Sequence, residues 1–190
     1  IPKHLFYDCK VKNMQIGAAV ESIGIGAFGS CENIEFQVSS NNAKYITSNG
    51  NVYADDGATM VVYAGSKQDE YYSLPTNVSA IAAGAFYGHD YLVQASFDAT
   101  ITAVGESAFA ECAKLETIAV SDFMDEASFL AEVTTGENWS GNATVIFSGL
   151  SWDIGVTKGA LTATLYSDGT LAISGTGAMK NWATAGAVDW

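Results

Sequence analysis
Residues 101–120 read ITAVGESAFAECAKLETIAV. Apolar side chains fall at Ile101, Val104, Ala108, Phe109, Cys112, Leu115, Ile118 and Val120. The segment before it carries Val78, Ile81, Ala85, Phe86, Leu92, Ala95 and Phe97, with His89 where Cys112 stands. An earlier copy holds Val20, Ile23, Ala27, Phe28, Cys31, Ile34, Phe36 and Val38, and the N-terminus a partial one, Phe6, Cys9, Met14 and Ile16. The marker phenylalanines at 6, 28, 86 and 109 are separated by 22, 58 and 23 residues. Two spacings agree within one residue, and the third is one repeat plus about 35 residues of insertion, since 58 − 23 = 35. Self-similarity at a fixed period implies stacked units, each too small to bury its own apolar side and each supported by its neighbours.

Within a unit the segments NMQIG, IEFQV, LVQASF and LETIAV alternate apolar and polar residues. A period of two is that of a strand with one face buried. It turns Met14, Ile16, Phe36, Val38, Ala95, Phe97, Ile118 and Val120 inward. The outward positions form two columns: Asn13, Glu35, Gln94, Thr117, and Gln15, Gln37, Ser96, Ala119. The Gly-x-x-Ala-Phe-x-x-Cys run is too short for a full helix and predicts a tight helical turn on the opposite side of the coil, filled by the phenylalanine.

This pattern resembles the BspA-type leucine-rich repeat of bacterial surface proteins. The resemblance rests on VESIGIGAFGSCENI, VSAIAAGAFYGHDYL and ITAVGESAFAECAKL and covers residues 1 to about 120. It departs at His89 in place of cysteine, at the small Ala95 and at the incomplete first copy. It implies a repeat solenoid, β-rich α/β, wound as a right-handed coil, placed on the cell surface or secreted, and working by binding rather than catalysis. The stretch from about 44 to 77 also resembles an insertion that recurs in that family. The chain opens inside a repeat, as a fragment of a longer protein would.

Along the chain, 1–148 reads as the solenoid. In the insertion, Val52-Tyr53 and Met60 to Tyr63 flank Asp55-Asp56-Gly57, a hairpin signal. The region 122–148 reads as a cap. Phe129, Leu130 and Val133 stand at helical spacing with Asp125 or Ser121 as N-cap, and ATVIF (143–147) follows as a last strand. Residues 149–190 read as a small β-hairpin segment, Leu161 to Leu165 and Thr170 to Ser174 around Asp168-Gly169, flanked by Trp152, Trp182 and Trp190. It resembles a segment found beside BspA-type arrays, which begins a further module or pairs with the cap or another chain.

Composition narrows the function. Charged residues make up only 15% and the net charge is −13, which argues against nucleic acid or an anionic membrane as partner. No apolar run reaches the roughly 18 residues of a membrane span. Neither a nucleophile elbow nor a zinc-protease motif occurs, and the two histidines are His4 and His89. The reading is a non-enzyme without a cofactor. The column Cys9, Cys31, His89, Cys112 reads as a buried small-residue ladder rather than a metal site, because stacked coils spread equivalent positions along the axis. A Cys9–Cys31 disulfide stays open. Asp55, Asp56, Asp69 and Glu70 read as a solvated turn rather than a calcium loop.

Two surfaces are candidates for a ligand. One is the outward strand row, with Glu35, Gln37, Gln94, Ser96 and Thr117; concave solenoid faces often bind in this way. The other is a tyrosine-rich rim of Tyr71, Tyr72, Tyr87 and Tyr91, with Tyr7. The expected partner is a protein or glycan, including host extracellular matrix; the alternative is a structural spacer that binds nothing. The oligomeric state stays open.

Overall fold
The protein is represented by a computed structural model that describes residues 1–54, 57–97, 100–121, 123, 125–157, 160–166 and 171–179. The repeated alternation produces one strand per coil. β1 (Asn13–Ile16) and β2 (Glu35–Val38) pair in parallel from Asn13↔Glu35 to Ile16↔Val38. Two further strands, β3 (Tyr45–Ser48) and β4 (Asn51–Ala54), form an antiparallel hairpin, and β5 (Thr59–Val62) pairs antiparallel with β4. Beyond them, β6 (Tyr71–Ser73), β8 (Gln94–Phe97), β10 (Thr117–Ser121) and β12 (Thr144–Asp153) run parallel, with Tyr71, Gln94, Thr117 and Thr144 in register. The opening segments β7 (Ala80–Ile81), β9 (Ala103–Val104) and β11 (Thr134–Thr135) make a second parallel ladder that β5 joins. Among the described residues this is a β-solenoid of six coils.

The Gly-x-x-Ala-Phe segments are paired turns, not helix. Ala85 N donates to Ala82 O and Tyr87 N to Gly84 O, and the same i to i−3 bonds recur at Ala108 and Ala110. Between the turns the chain takes positive φ two residues before the marker, at His4, Gly26, Gly84 and Ser107. It does so again two residues after, at Asp8, Ser30, Gly88 and Glu111. These left-handed residues point the marker side chains inward into one stack. Phe6 lies on Phe28 at 5.5 Å, and Phe86 lies between its neighbours at 4.6 and 4.9 Å.

One of those neighbours corrects the reading of 44–77 as insertion throughout. Tyr63 occupies the marker position: its N–H bonds to Ala85 O as that of Phe86 bonds to Ala108 O. With β5 ahead of it and β6 behind, residues 59–76 form a third coil, and the added element is the β3–β4 hairpin. This coil lacks the Gly-x-x-Ala-Phe turn and cuts straight through Ala64-Gly65. Coils two and four close over the shortcut, so that a Cβ on Gly84 would come 2.8 Å from the Gly26 nitrogen. The hairpin expected between β4 and β5 is present in the pairing, while its Asp55-Asp56 tip lies outside the described residues. β4 and β5 are buried on both faces and divide the interior. Val52, Val61 and Val62 face the core of coils one and two, whereas Tyr53, Met60 and Tyr63 face that of coils three to six.

The region 122–148 holds more than a cap. α1 (Glu126–Glu132) starts at Asp125, whose carboxylate accepts from Ser128 N while Ser128 Oγ accepts from Asp125 N. Phe129 and Val133 are buried, but Leu130 is exposed. The chain then re-enters the ladders through β11 and β12, completing a sixth coil. Strand β12 continues through Asp153, with a register shift against β13 between Ser148 and Ser151, so the sheet crosses the expected boundary at 149. β13 (Leu161–Tyr166) pairs antiparallel with β12 and β14 (Leu171–Gly175) with β13, which places the C-terminal hairpin on the solenoid's own sheet. Its Asp168-Gly169 turn, Trp182 and Trp190 lie outside the described residues.

Candidate functional site
The outward strand row is divided. Glu35 and Gln37 stand beside Asn13 and Gln15 on the two-stranded sheet. Gln94, Ser96 and Thr117 lie on the larger sheet, where Tyr71 extends the Gln94–Thr117 row and Ser73 the Ser96 row. Ser96 and Ser73 are linked through their hydroxyls at 3.2 Å. Between the two patches stands the β3–β4 hairpin, which takes the N–H of Phe36 on Gly50 O at 3.0 Å. Glu35 is held at that junction, its Oε1 accepting from Ser66 Oγ at 3.2 Å.

The tyrosine rim is four separate places. Tyr71 points outward and is 69% exposed. Its neighbour Tyr72 points inward, as strand alternation requires, and packs edge-on against Tyr63 at 4.8 Å and Phe86 at 5.1 Å. Tyr87 packs on the turn side with His4 and Tyr7, against Gly29. Tyr91 lies under the Lys114 ammonium, 5.3 Å from the ring centre.

Where the hairpin stands off from the third coil, a cleft of about 470 Å³ opens. Tyr53, Tyr63 and Tyr72 line its inner part, and Asn49, Lys67 and Asp69 its polar edge. Tyr63 Oη donates a short hydrogen bond to Asp69 Oδ2, and Lys67 Nζ reaches Asn49 Oδ1 at 3.1 Å. Burial, followed by the bond to Asp69, pushes the Tyr63 hydroxyl well above the ordinary tyrosine range. Burial pushes Tyr72 the same way, and its hydroxyl meets no partner among the described residues. The cleft therefore offers a neutral, hydrogen-bonding aromatic interior with one carboxylate and one ammonium at its edge. The sequence marks Tyr72 as a candidate and places Asp69 in a turn, but does not show the cleft that joins them. The overlooked signal is Asn49-Gly50: both residues have positive φ (50° and 79°), as a two-residue type I′ hairpin turn needs.

The cysteine column shows one recurring bond. Cys31 Sγ donates to Phe6 O at 2.9 Å and Cys112 Sγ to Phe86 O at 3.0 Å, each tying a coil to the marker of the coil before. His89 holds the equivalent place in coil four, 6% exposed, and burial lowers its pKa.

A solenoid of parallel strands on one side, paired turns on the other and a marker aromatic in each of the first five coils defines a leucine-rich-repeat architecture. The profile of the BspA type leucine rich repeat region matches residues 1–50 and 61–131, in six copies, and the chain belongs to that family. The matched range includes the third coil from Val61 onward and omits 51–60, within the inserted hairpin and the start of β5. Comparison with curated proteins gives no match. Among solved structures, the pneumococcal vaccine antigen PcpA is similar with a TM-score of 0.55 at 17% identity, over 76% of this chain and 41% of that one. A leucine rich cell surface protein of Faecalibacterium prausnitzii is matched at 17% identity and a TM-score of 0.47, over 78% of this chain and 51% of that one. A leucine-rich repeat protein of Eubacterium ventriosum is matched at 18% and 0.47, over 72% and 51%. The chain thus spans about half the length of these two, and less of PcpA.

Proposed function
We propose that the chain is a non-catalytic binding module of a bacterial cell-surface or secreted protein, engaging a protein or glycan, host matrix included, in adhesion. Membership of this repeat family, together with the likeness of the chain to the solved structure of a vaccine antigen, supports the location. The observation that carries the binding reading is the cleft between the hairpin and coil three. It is large enough for a ligand group, its tyrosine rings offer apolar faces, and Asn49, Lys67 and Asp69 at its edge supply the few polar contacts that pockets use for orientation. Tyr71, the half-buried outward row of Gln94, Ser96 and Thr117, and the Glu35–Gln37 patch flank it as a wider contact surface. The net charge of −13 favours a neutral or basic partner.

The test is a screen of the purified chain on matrix proteins and a glycan array, with and without calcium, repeated with Asp69→Asn/Lys67→Ala and with Tyr71→Ser. Saturable binding that the cleft double variant weakens at least tenfold supports the reading. Binding that neither variant changes refutes the site. The spacer reading is favoured by the short polar side chains of the outer row, Ser73, Ser96 and Thr117, and it gains if a folded chain binds nothing on either panel.

A further inference from the structure
We propose that Cys9 and Cys31 are a disulfide-forming pair that staples the first coil to the second. The two thiol sulfurs lie 2.8 Å apart, well inside ordinary non-bonded contact. The backbone supports the approach. Phe6 N bonds to Ala27 O and Asp8 N to Gly29 O, each at 2.8 Å, so the two coils are laddered on both sides of the marker position. Neighbouring laddered chains stand about 4.8 Å apart. Disulfides need Cα atoms roughly 4.4–6.8 Å apart and β-carbons that face each other, as equivalent positions in stacked coils provide. Cys9 N also donates to Cys31 Sγ at 3.2 Å, which holds that sulfur against Cys9. Cys112 is the internal contrast. It makes the same bond to the preceding marker carbonyl as Cys31, but the coil before it carries His89 at the equivalent position, so no thiol faces it across the stack.

The chemistry is thiol–disulfide exchange with a small-molecule or protein disulfide as oxidant. Cys9 is partly exposed and Cys31 is buried, so Cys9 is the entry point. Its thiolate attacks one sulfur of the oxidant, forming a mixed disulfide and releasing the first thiol. Cys31, whose own thiol burial pushes up to about 12, gives its proton to solvent and attacks Cys9 Sγ. The second thiol then leaves. Two cysteine thiols are oxidised by two electrons, and one oxidant disulfide becomes two thiols.

The three cysteines fall on separate tryptic peptides, 4–10, 13–44 and 68–114. The folded chain is equilibrated in glutathione buffers from reduced to oxidised, denatured in acid, alkylated, and digested without reductant. The expected result in the oxidised buffer is one labelled cysteine, on 68–114, with 4–10 linked to 13–44 in the monomer. The Cys112→Ser variant should give the same link. Three labelled cysteines in glutathione disulfide, a link that includes 68–114, or a 4–10 to 4–10 link between two chains would each overturn the proposal.

Discussion

Two tyrosines in the cleft lose the same atom with opposite consequences. Tyr63 and Tyr72 pack edge to face, 4.8 Å between ring centres; the Tyr72 hydroxyl is buried and that of Tyr63 partly so. Tyr63 donates to the Asp69 carboxylate, whereas the Tyr72 hydroxyl meets no partner among the described residues. Replacing either by phenylalanine keeps the ring contacts with Phe86 at 4.9 and 5.1 Å. At Tyr63 the change removes a hydrogen bond to a charged group, which costs about 1.5–3 kcal/mol. At Tyr72 it removes a buried hydroxyl that no group among the described residues pairs with, a penalty of about 1–3 kcal/mol. Tyr72→Phe is therefore expected to stabilise by about 1–2 kcal/mol and Tyr63→Phe to destabilise by about 2 kcal/mol. For a chain of this size the corresponding shifts in Tm are about 2–4 °C per kcal/mol. Urea unfolding at constant m, read by tyrosine and tryptophan fluorescence, compares the two variants with the parent. If Tyr72→Phe lowers the midpoint as much as Tyr63→Phe does, the unpartnered hydroxyl is not what the geometry states.

Other consequences follow from packing and titration. Gly65→Ala would set a methyl 1.8 Å from the Cys31 carbonyl oxygen. It should cost about 3 kcal/mol or more and lower the urea midpoint, since backbone rather than a flexible side chain must move. Phe129 is fully buried against Phe97, Phe123, Trp139 and Phe147. Phe129→Ala should lose about 3–5 kcal/mol and speed hydrogen exchange in α1 and β12 before β2. His89 is buried neutral with a lowered pKa, so between that value and 6.5 the unfolded chain binds the extra proton. Stability is then full above pH 6.5 and falls as pH drops below it. His89→Leu should flatten this part of a midpoint-versus-pH curve, and an unchanged slope would refute the assignment.

The solenoid was legible because each complete coil repeats a marker that has a physical job. Phe28, Phe86 and Phe109 fill the interior, and the alternating strand after each sets which side chains turn inward. The third coil was not legible. Tyr63 replaces the phenylalanine, and the Gly-x-x-Ala-Phe turn is missing because coils two and four meet over the shortcut. The cap region misled for a similar reason: α1 interrupts the repeat, so β11 and β12 did not read as a further coil.

The sequence by itself determined the repeat, the inward columns and the presence of a capped helix near Asp125, because each rests on local periodicity or capping chemistry. Only the tertiary structure decided which strands are neighbours. The β3–β4 hairpin separates β2 from β6, splits the Glu35–Gln94 column and walls the cleft that Tyr72 lines. The stacking of coils one and two brings Cys9 to Cys31, whereas the coil before Cys112 carries His89 at the equivalent position. Residue spacing fixes the face a side chain takes within its own coil, whereas its neighbours depend on which coil stacks next, and one inserted hairpin changes that order.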